Sequence, residues 1–220
     1  MKQIEVEDWV YDGLIEKCRV LGYESINDLI VDEILRRAAP LVYRKDVGKF
    51  IWTKLKESNY DYDSLVDSII DEVVISAIDR FGHLVTSIEL ISGTVFELLI
   101  LSVIEKITSF EYVYKGVQMG LGLKRGSIDT SKIFGMPDIV FGENGEVLGV
   151  IEAKKQNQFK VDENDKYKLK YFAKKGLKVL FMTTASEPKK SAVHQELLES
   201  GVNFAFVRSY GDIVDTISEI

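Results

Sequence analysis

Apolar and polar positions alternate at the very start, where Lys2–Glu7 reads KQIEVE with Ile4 and Val6 on one side. From Asp8 or Trp9 the period changes to that of a helix. Val10, Leu14, Cys18 and Leu21 recur on one face, and Gly22 ends the run. Ser25, with Asp28 three residues later, predicts an N-cap for a second helix carrying Ile26, Leu29, Ile30 and Ile34. Ala38-Ala39-Pro40 predicts a break. Beyond it, Tyr43, Phe50 and Trp52 lie among Arg44, Lys45, Lys49, Lys54 and Lys56, and their helical spacing predicts a core-facing stripe. Asn59–Ser64 reads as a turn or linker. Leu65–Phe81 reads as a helix with Val66, Ile69, Ile70, Val73, Val74 and Ile78 inward, stopped by Gly82.

The pattern then turns to an α/β alternation. Ser92-Gly93 precede a strongly apolar helix, Thr94–Ile107, with Glu97 in its first turn, where the helix dipole favours an acid. Phe110–Leu121 predicts a strand, and Gly122–Lys132 a loop able to lie over a substrate. Two β-rich runs, Ile133–Phe141 and Val147–Ala153, flank Gly142-Glu143-Asn144-Gly145 and predict a hairpin. A lysine-rich helix around Asp162–Lys175 follows, then a strand Val179–Thr183, a helix Ser191–Ser200, a strand Asn203–Val207 and a short helix from Asp212. We therefore expect a module over 1–39, a helical connector over 40–82 and an α/β domain over 83–220.

Composition narrows the chemistry. The chain has 220 residues, 46% hydrophobic and 29% charged, as expected of a globular protein. One cysteine, Cys18, excludes an internal disulfide and a cysteine-rich zinc site, and His83 and His194 are the only imidazoles. Carboxylate ligation then favours Mg²⁺ or Mn²⁺. No cleavable signal or membrane span is apparent, so a cytoplasmic, membrane-free location is expected. The net charge of −7 argues against a surface coated for nucleic acid. Nine lysines nevertheless fall between Lys154 and Lys178, against Asp162, Glu163 and Asp165. A basic region beside an acidic site is what phosphate binding needs.

The informative residues lie in the hairpin. Asp138 and Glu152 sit in apolar runs, where an unpaired charge is costly. Glu152 and Lys154 share one strand face. Converging carboxylates can hold a hard cation, and an ammonium beside them can serve a water or a phosphate. Register decides whether the acids converge. A plain two-residue Asn144-Gly145 turn puts Asp138 opposite Ile151 and on the wrong face. A three-residue loop with Gly145 left-handed puts Asp138 opposite Val150, on the side of Glu152 and Lys154. The chemistry requires the second arrangement.

Pro137, Asp138, Glu152 and Lys154 resemble, in order, the motif of the PD-(D/E)XK nuclease superfamily. The resemblance covers roughly the last 130 residues and implies an αβββαβ core with a mixed central sheet. It further implies Asp138 and Glu152 as Mg²⁺ ligands, with Mn²⁺ able to substitute, and Lys154 as catalytic lysine. Glu97, on the preceding helix, matches a position that often completes the site, with Glu89 as fallback. DNA is the implied substrate, with Lys155, Lys160, Lys166, Lys170, Lys124 and Arg125 as candidate contacts. Archaeal Holliday-junction resolvases, restriction-enzyme nuclease domains and small nuclease-like proteins of archaeal viruses are the branches it most resembles. Gln156, two residues after Lys154, also occurs in some branches.

The N-terminal strand, helix, glycine turn and capped helix resemble the ribbon-helix-helix module, which implies a homodimer through paired strands. Gln3, Glu5 and Glu7 would face outward, and their two carboxylates oppose DNA reading. Two alternatives to an endonuclease follow. One is a ribbon-helix-helix DNA-binding regulator; the other is a catalytically silent nuclease fold serving assembly.

Overall fold

The computed structural model describes residues 7–57, 68–75, 87–133 and 135–220. The chain divides into two compact units, Met1–Tyr43 and Arg44–Ile220. The expected ribbon Lys2–Glu7 lies outside the described residues apart from Glu7, which is extended at the N-cap of helix α1 (Asp8–Leu21).

In the first unit α1 ends as predicted at Gly22, in the left-handed region at φ 75°, with the Tyr23 amide bonded to the Cys18 carbonyl. Ser25 opens helix α2 (Ile26–Glu57): its Oγ accepts from the Asp28 amide at 3.1 Å and donates to the Asp28 carboxylate at 2.7 Å. Cys18 and Leu29 are buried, whereas Trp9, Tyr11, Ile15 and Val20 of α1 are exposed. The expected break at Ala38-Ala39-Pro40 does not occur, because α2 runs through it. Proline forfeits one backbone bond there, and the flanking Leu, Arg and Ala are strong helix formers.

In the second unit the last turns of α2 bury Val47, Ile51 and Leu55. Of the aromatic stripe expected there, Phe50 and Trp52 are half-buried, with Lys54 over the Phe50 ring and Lys56 over that of Trp52. Helix α3 is described over 68–75 and buries Ile69 and Val73. The remainder of the expected Leu65–Phe81 helix and the Asn59–Ser64 linker lie outside the described residues. The last turns of α2, from Arg44 on, and helix α3 belong to the same compact unit as the sheet.

Helix α4 (Ile88–Ile107) begins six residues earlier than predicted, capped by Ser87, whose Oγ accepts from the Leu90 amide. Ser92 and Gly93 are therefore interior. Burial of Ile91, Val95, Leu98, Leu99, Leu101 and Ile104 outweighs the cost of about 1 kcal/mol for an interior glycine. Glu97 thus lies mid-helix, and the dipole account of it fails.

The sheet has six strands in the order β2-β1-β3-β4-β5-β6. They are β1 (Glu111–Tyr114), β2 (Leu123–Arg125), β3 (Ile139–Glu143), β4 (Glu146–Lys154), β5 (Lys178–Thr183) and β6 (Val202–Phe206). The pairs β1–β2, β1–β3 and β3–β4 are antiparallel, while β4–β5 and β5–β6 are parallel. The fold is mixed α/β, with helices preceding a mixed sheet, as expected. The predicted strand Phe110–Leu121 is shorter, since the chain turns at Gly116 into a 3₁₀ turn (Val117–Met119). The predicted loop Gly122–Lys132 contains the edge strand β2.

Helices α5 (Glu163–Lys174) and α6 (Ala192–Glu199) are the crossovers between parallel strands and cover one sheet face. There Leu169, Phe172 and Leu197 pack with Val140, Val150, Val179 and Phe181. Helix α7 (Tyr210–Ser218), closed by a Ser209–Asp212 capping box, packs with α4.

The β3–β4 hairpin differs from the expected loop. Its turn is the two-residue Asn144-Gly145, both at positive φ (53° and 80°), pairing Glu143 with Glu146. The register then shifts between Phe141 and Gly142: Gly142 faces Val147 but Phe141 faces Gly149, leaving Leu148 as the extra residue. Ile139 consequently faces Ile151. One step further the same register sets Asp138 opposite Glu152. Two glycines admit the bulge. A Cβ on Gly142 would lie 1.9 Å from the Glu146 carbonyl oxygen, and one on Gly149 2.4 Å from the Phe141 ring.

Because that oxygen is backbone, Gly142→Ala has no flexible neighbour to displace. It should destabilise the protein by at least about 2 kcal/mol, measured as a lower urea midpoint at unchanged m-value. An unchanged midpoint would show that the hairpin tolerates another register.

Candidate active site

Strand alternation puts Val150, Glu152 and Lys154 on the α5 face of β4, with Ile151 and Ala153 turned away. Glu152 is 2% exposed. Asp138 is half-buried just before β3, behind the buried Pro137, and its Oδ2 accepts from the Ala153 amide at 2.8 Å. Register and bulge thus bring together the two carboxylates and the lysine singled out in the sequence.

Two residues that sequence reasoning missed close the arrangement. Lys154 Nζ lies 3.2 Å from Glu152 Oε1 and 3.0 Å from Asp165 Oδ2. Lys168 Nζ lies 2.9 Å from the same Glu152 oxygen and 2.9 Å from Asp165 Oδ1. Glu152, Lys154, Asp165 and Lys168 therefore form a ring of alternating charge between β4 and α5. Asp165 and Lys168 are one helical turn apart just inside the Asp162 cap, so the i,i+3 pair was visible. Its direction toward Glu152 was not.

Glu97 lines a cavity of about 260 Å³ together with Tyr114, Gln118, Met136, Asp138 and Lys154. Its Oε2 accepts from the buried Tyr114 hydroxyl at 2.9 Å. The fallback Glu89 is exposed in the first turn of α4. The candidate DNA contacts separate into two groups. Lys124, Lys155 and Lys160 are exposed. Lys166 and Lys170 instead pair with Glu196 at 2.8 and 2.9 Å. Arg125 donates to the Glu105 and Thr108 carbonyls, capping the end of α4. His194 is buried among Phe159, Phe204 and Phe206, and His83 lies outside the described residues.

The electrostatics follow from crowding acids in a desolvated place. Burial, then the neighbouring Glu97, pushes Asp138 up to about 7 despite the Ala153 amide. Burial, then Asp138, pushes Glu152 up to about 7 although Lys168 and Lys154 oppose the shift. Glu97 is raised mainly by burial. Burial works to lower Lys154, but Glu152 and Asp165 together outweigh it, so the ammonium is held charged. Lys168 is raised by the same two acids against the same burial.

Glu152 Oε2 is buried and has no hydrogen-bond partner among the described residues. Among the described residues, no group of three or more His, Cys, Asp or Glu side chains is arranged to hold a metal ion. Two carboxylates are nevertheless what Mg²⁺ commonly takes from a protein, keeping waters at its other positions. Asp138 and Glu152, mutually repelling and with one orphan oxygen, fit that donor set. No helix among the described residues is long and apolar enough to cross a membrane. In comparisons with protein-family models, curated proteins and solved structures, nothing matches the chain.

The raised carboxyls have a consequence for stability. An acid with a folded pKa near 7 and an unfolded value near 4 makes the native state hold extra protons between those values. Stability is then fully present below about pH 4, falls as pH rises toward 7 and levels off above. In EDTA, urea midpoints from pH 5 to 8 should fall for the wild type and fall less for Asp138→Asn. Identical slopes would show that Asp138 does not titrate in this window.

Proposed function

We propose that the chain is a divalent-cation-dependent DNA endonuclease, and that Asp138, Glu152 and Lys154 carry its chemistry. The observation that supports this most is the β3–β4 register, which carried one step past the Ile139–Ile151 pair sets Asp138 opposite Glu152, with Lys154 two residues on along the same face. Asp138 and Glu152 would hold Mg²⁺, or Mn²⁺ in its place, and Glu97 would act beside them through the cavity it shares with Asp138. When bound, the cation supplies a Lewis acid and a more acidic water at a phosphodiester. Lys154 stays protonated, so its task is to stabilise charge developing on the phosphate and to orient the attacking water, not to accept the proton. Exposed Lys124, Lys155 and Lys160 are the better placed DNA contacts; Lys166 and Lys170 share their charge with Glu196. Branched DNA is the substrate form that the resolvase-like resemblance favours.

The closed ring Glu152–Lys154–Asp165–Lys168 favours a second reading, a nuclease-like fold in which the ion pairs are structural and the chain serves assembly. Cleavage of linear, flapped and four-way DNA separates the two. Cutting is expected with Mg²⁺ or Mn²⁺, none in EDTA and none by Glu152→Ala. Lys154→Ala should keep Mn²⁺ binding and most DNA affinity while losing on the order of 10²–10³ in rate. Failure of the wild type to cut any of these DNAs with either metal favours assembly.

We also propose a homodimer through the first unit, supported by exposed Trp9, Tyr11, Ile15 and Val20 on α1. The full chain should sediment as a dimer, and a chain lacking residues 1–39 as a monomer. A shortened chain that remains dimeric places the interface elsewhere.

A further inference from the structure

The ring holds two lysines on one carboxylate oxygen, and they are not equivalent. Lys154 reaches Glu152 from two residues along β4, is 35% exposed and lines the cavity. Lys168 reaches the same oxygen from α5, is 22% exposed and does not line the cavity. Its aliphatic stem lies where a Cβ on Gly135 would meet it, 3.3 Å from Cγ, in the segment leading to Pro137-Asp138. Lys168 is therefore wedged between α5 and the chain entering β3. Lys154 has room to turn toward the cavity.

We infer that Lys168 is a positioning residue: it keeps Glu152 and Asp165 paired, so that Lys154 can leave them for an anion in the cavity. The physical reason is the cost of an uncompensated charge. Glu152 is almost wholly buried and Asp165 is buried. With both lysines present, departure of Lys154 leaves each acid with an ammonium at 2.9 Å. Without Lys168 the same departure strands two buried carboxylates, and leaving such charges unpaired is strongly unfavourable. Lys154 would then be retained by its own ion pairs. The inference rests on the nuclease reading for the identity of the anion, a phosphodiester, but not for the pairing itself.

The test uses the full chain in EDTA, with acylation of Lys154 by acetic anhydride followed by peptide mass spectrometry. In Lys168→Met, Lys154 becomes the only cation bridging Glu152 and Asp165, so its acylation should slow by about 3-fold or more. Lys168→Arg, which keeps the charge, should label as the wild type does. Unchanged or faster labelling in Lys168→Met, as simple loosening of the site would give, overturns the inference. The cleavage arm is read separately. Lys168→Met should lower kcat by about 10-fold with little change in KM, and Lys154→Ala/Lys168→Met should be no slower than Lys154→Ala. An additive double variant overturns action through Lys154. Slowed labelling of Lys168→Met, beside a wild type that never cleaves DNA, would sustain the positioning role and remove the nuclease reading.

Discussion

Side chains on paired strands alternate between faces, so a regular hairpin closed by Asn144-Gly145 would set Asp138 against Ile151 and aim it away from Glu152. Leu148, the one residue left over on β4, reverses that. Past the bulge, apolar residues meet apolar residues, Val140 against Val150 and Ile139 against Ile151, all fully buried. Asp138 then falls opposite Glu152. The core and the candidate site depend on the same shift. Burying Ile139 and Ile151 on one face commits Asp138 and Glu152 to the other. The bulge in turn depends on Gly142 and Gly149, whose missing side chains make room for a carbonyl and a ring.

Once Glu152 is committed to the interior, its charge needs an answer. Lys154 supplies part of it from the same strand, and α5 supplies the rest, because the crossover from β4 to β5 lays that helix over this face. The lysines on α5 thus have different fates according to helical position. Lys168 turns to the sheet and the ring, while Lys166 and Lys170 turn to Glu196 on α6. A single basic run in the sequence divides into a site cation, a helix–helix tie and a solvated remainder.

Much of this was legible from residue order. The caps at Ser25 and Gly22 and the helix–strand order from α5 to α7 follow from local periodicity and punctuation, and the mixed sheet was what the resemblance implied. The motif Pro137-Asp138…Glu152-x-Lys154 was visible because acids and a lysine interrupt apolar strands. Other features were not, each for a tertiary reason. The late start expected for α4 rested on local propensity, which packing overrode, and the break expected at Pro40 gave too little weight to the strong helix formers around it. The extra residue was placed in the turn, whereas the contacts of Gly142 and Gly149 place it inside the strand. Arg125 looked like a phosphate contact because sequence cannot show that the end of α4 lies beside it. Lys168 was visible only as an i,i+3 partner of Asp165 and Tyr114 not at all, since their roles exist only once α5 and β1 lie beside the carboxylates.

The assembly reading accounts for the ring but not for everything around it. A buried ion-pair network built for structure alone gains by satisfying every oxygen, because low dielectric makes each unpartnered polar atom expensive. Asp165 meets that standard, with one lysine on each of its oxygens. Glu152 does not: both lysines converge on Oε1, and Oε2 is buried without a partner among the described residues. The neighbouring carboxyl is Asp138, itself driven toward protonation by burial and by Glu97. Structural ion pairing gives no reason to crowd acids there or to leave that oxygen bare. A cation held between Asp138 and Glu152 would answer both at once.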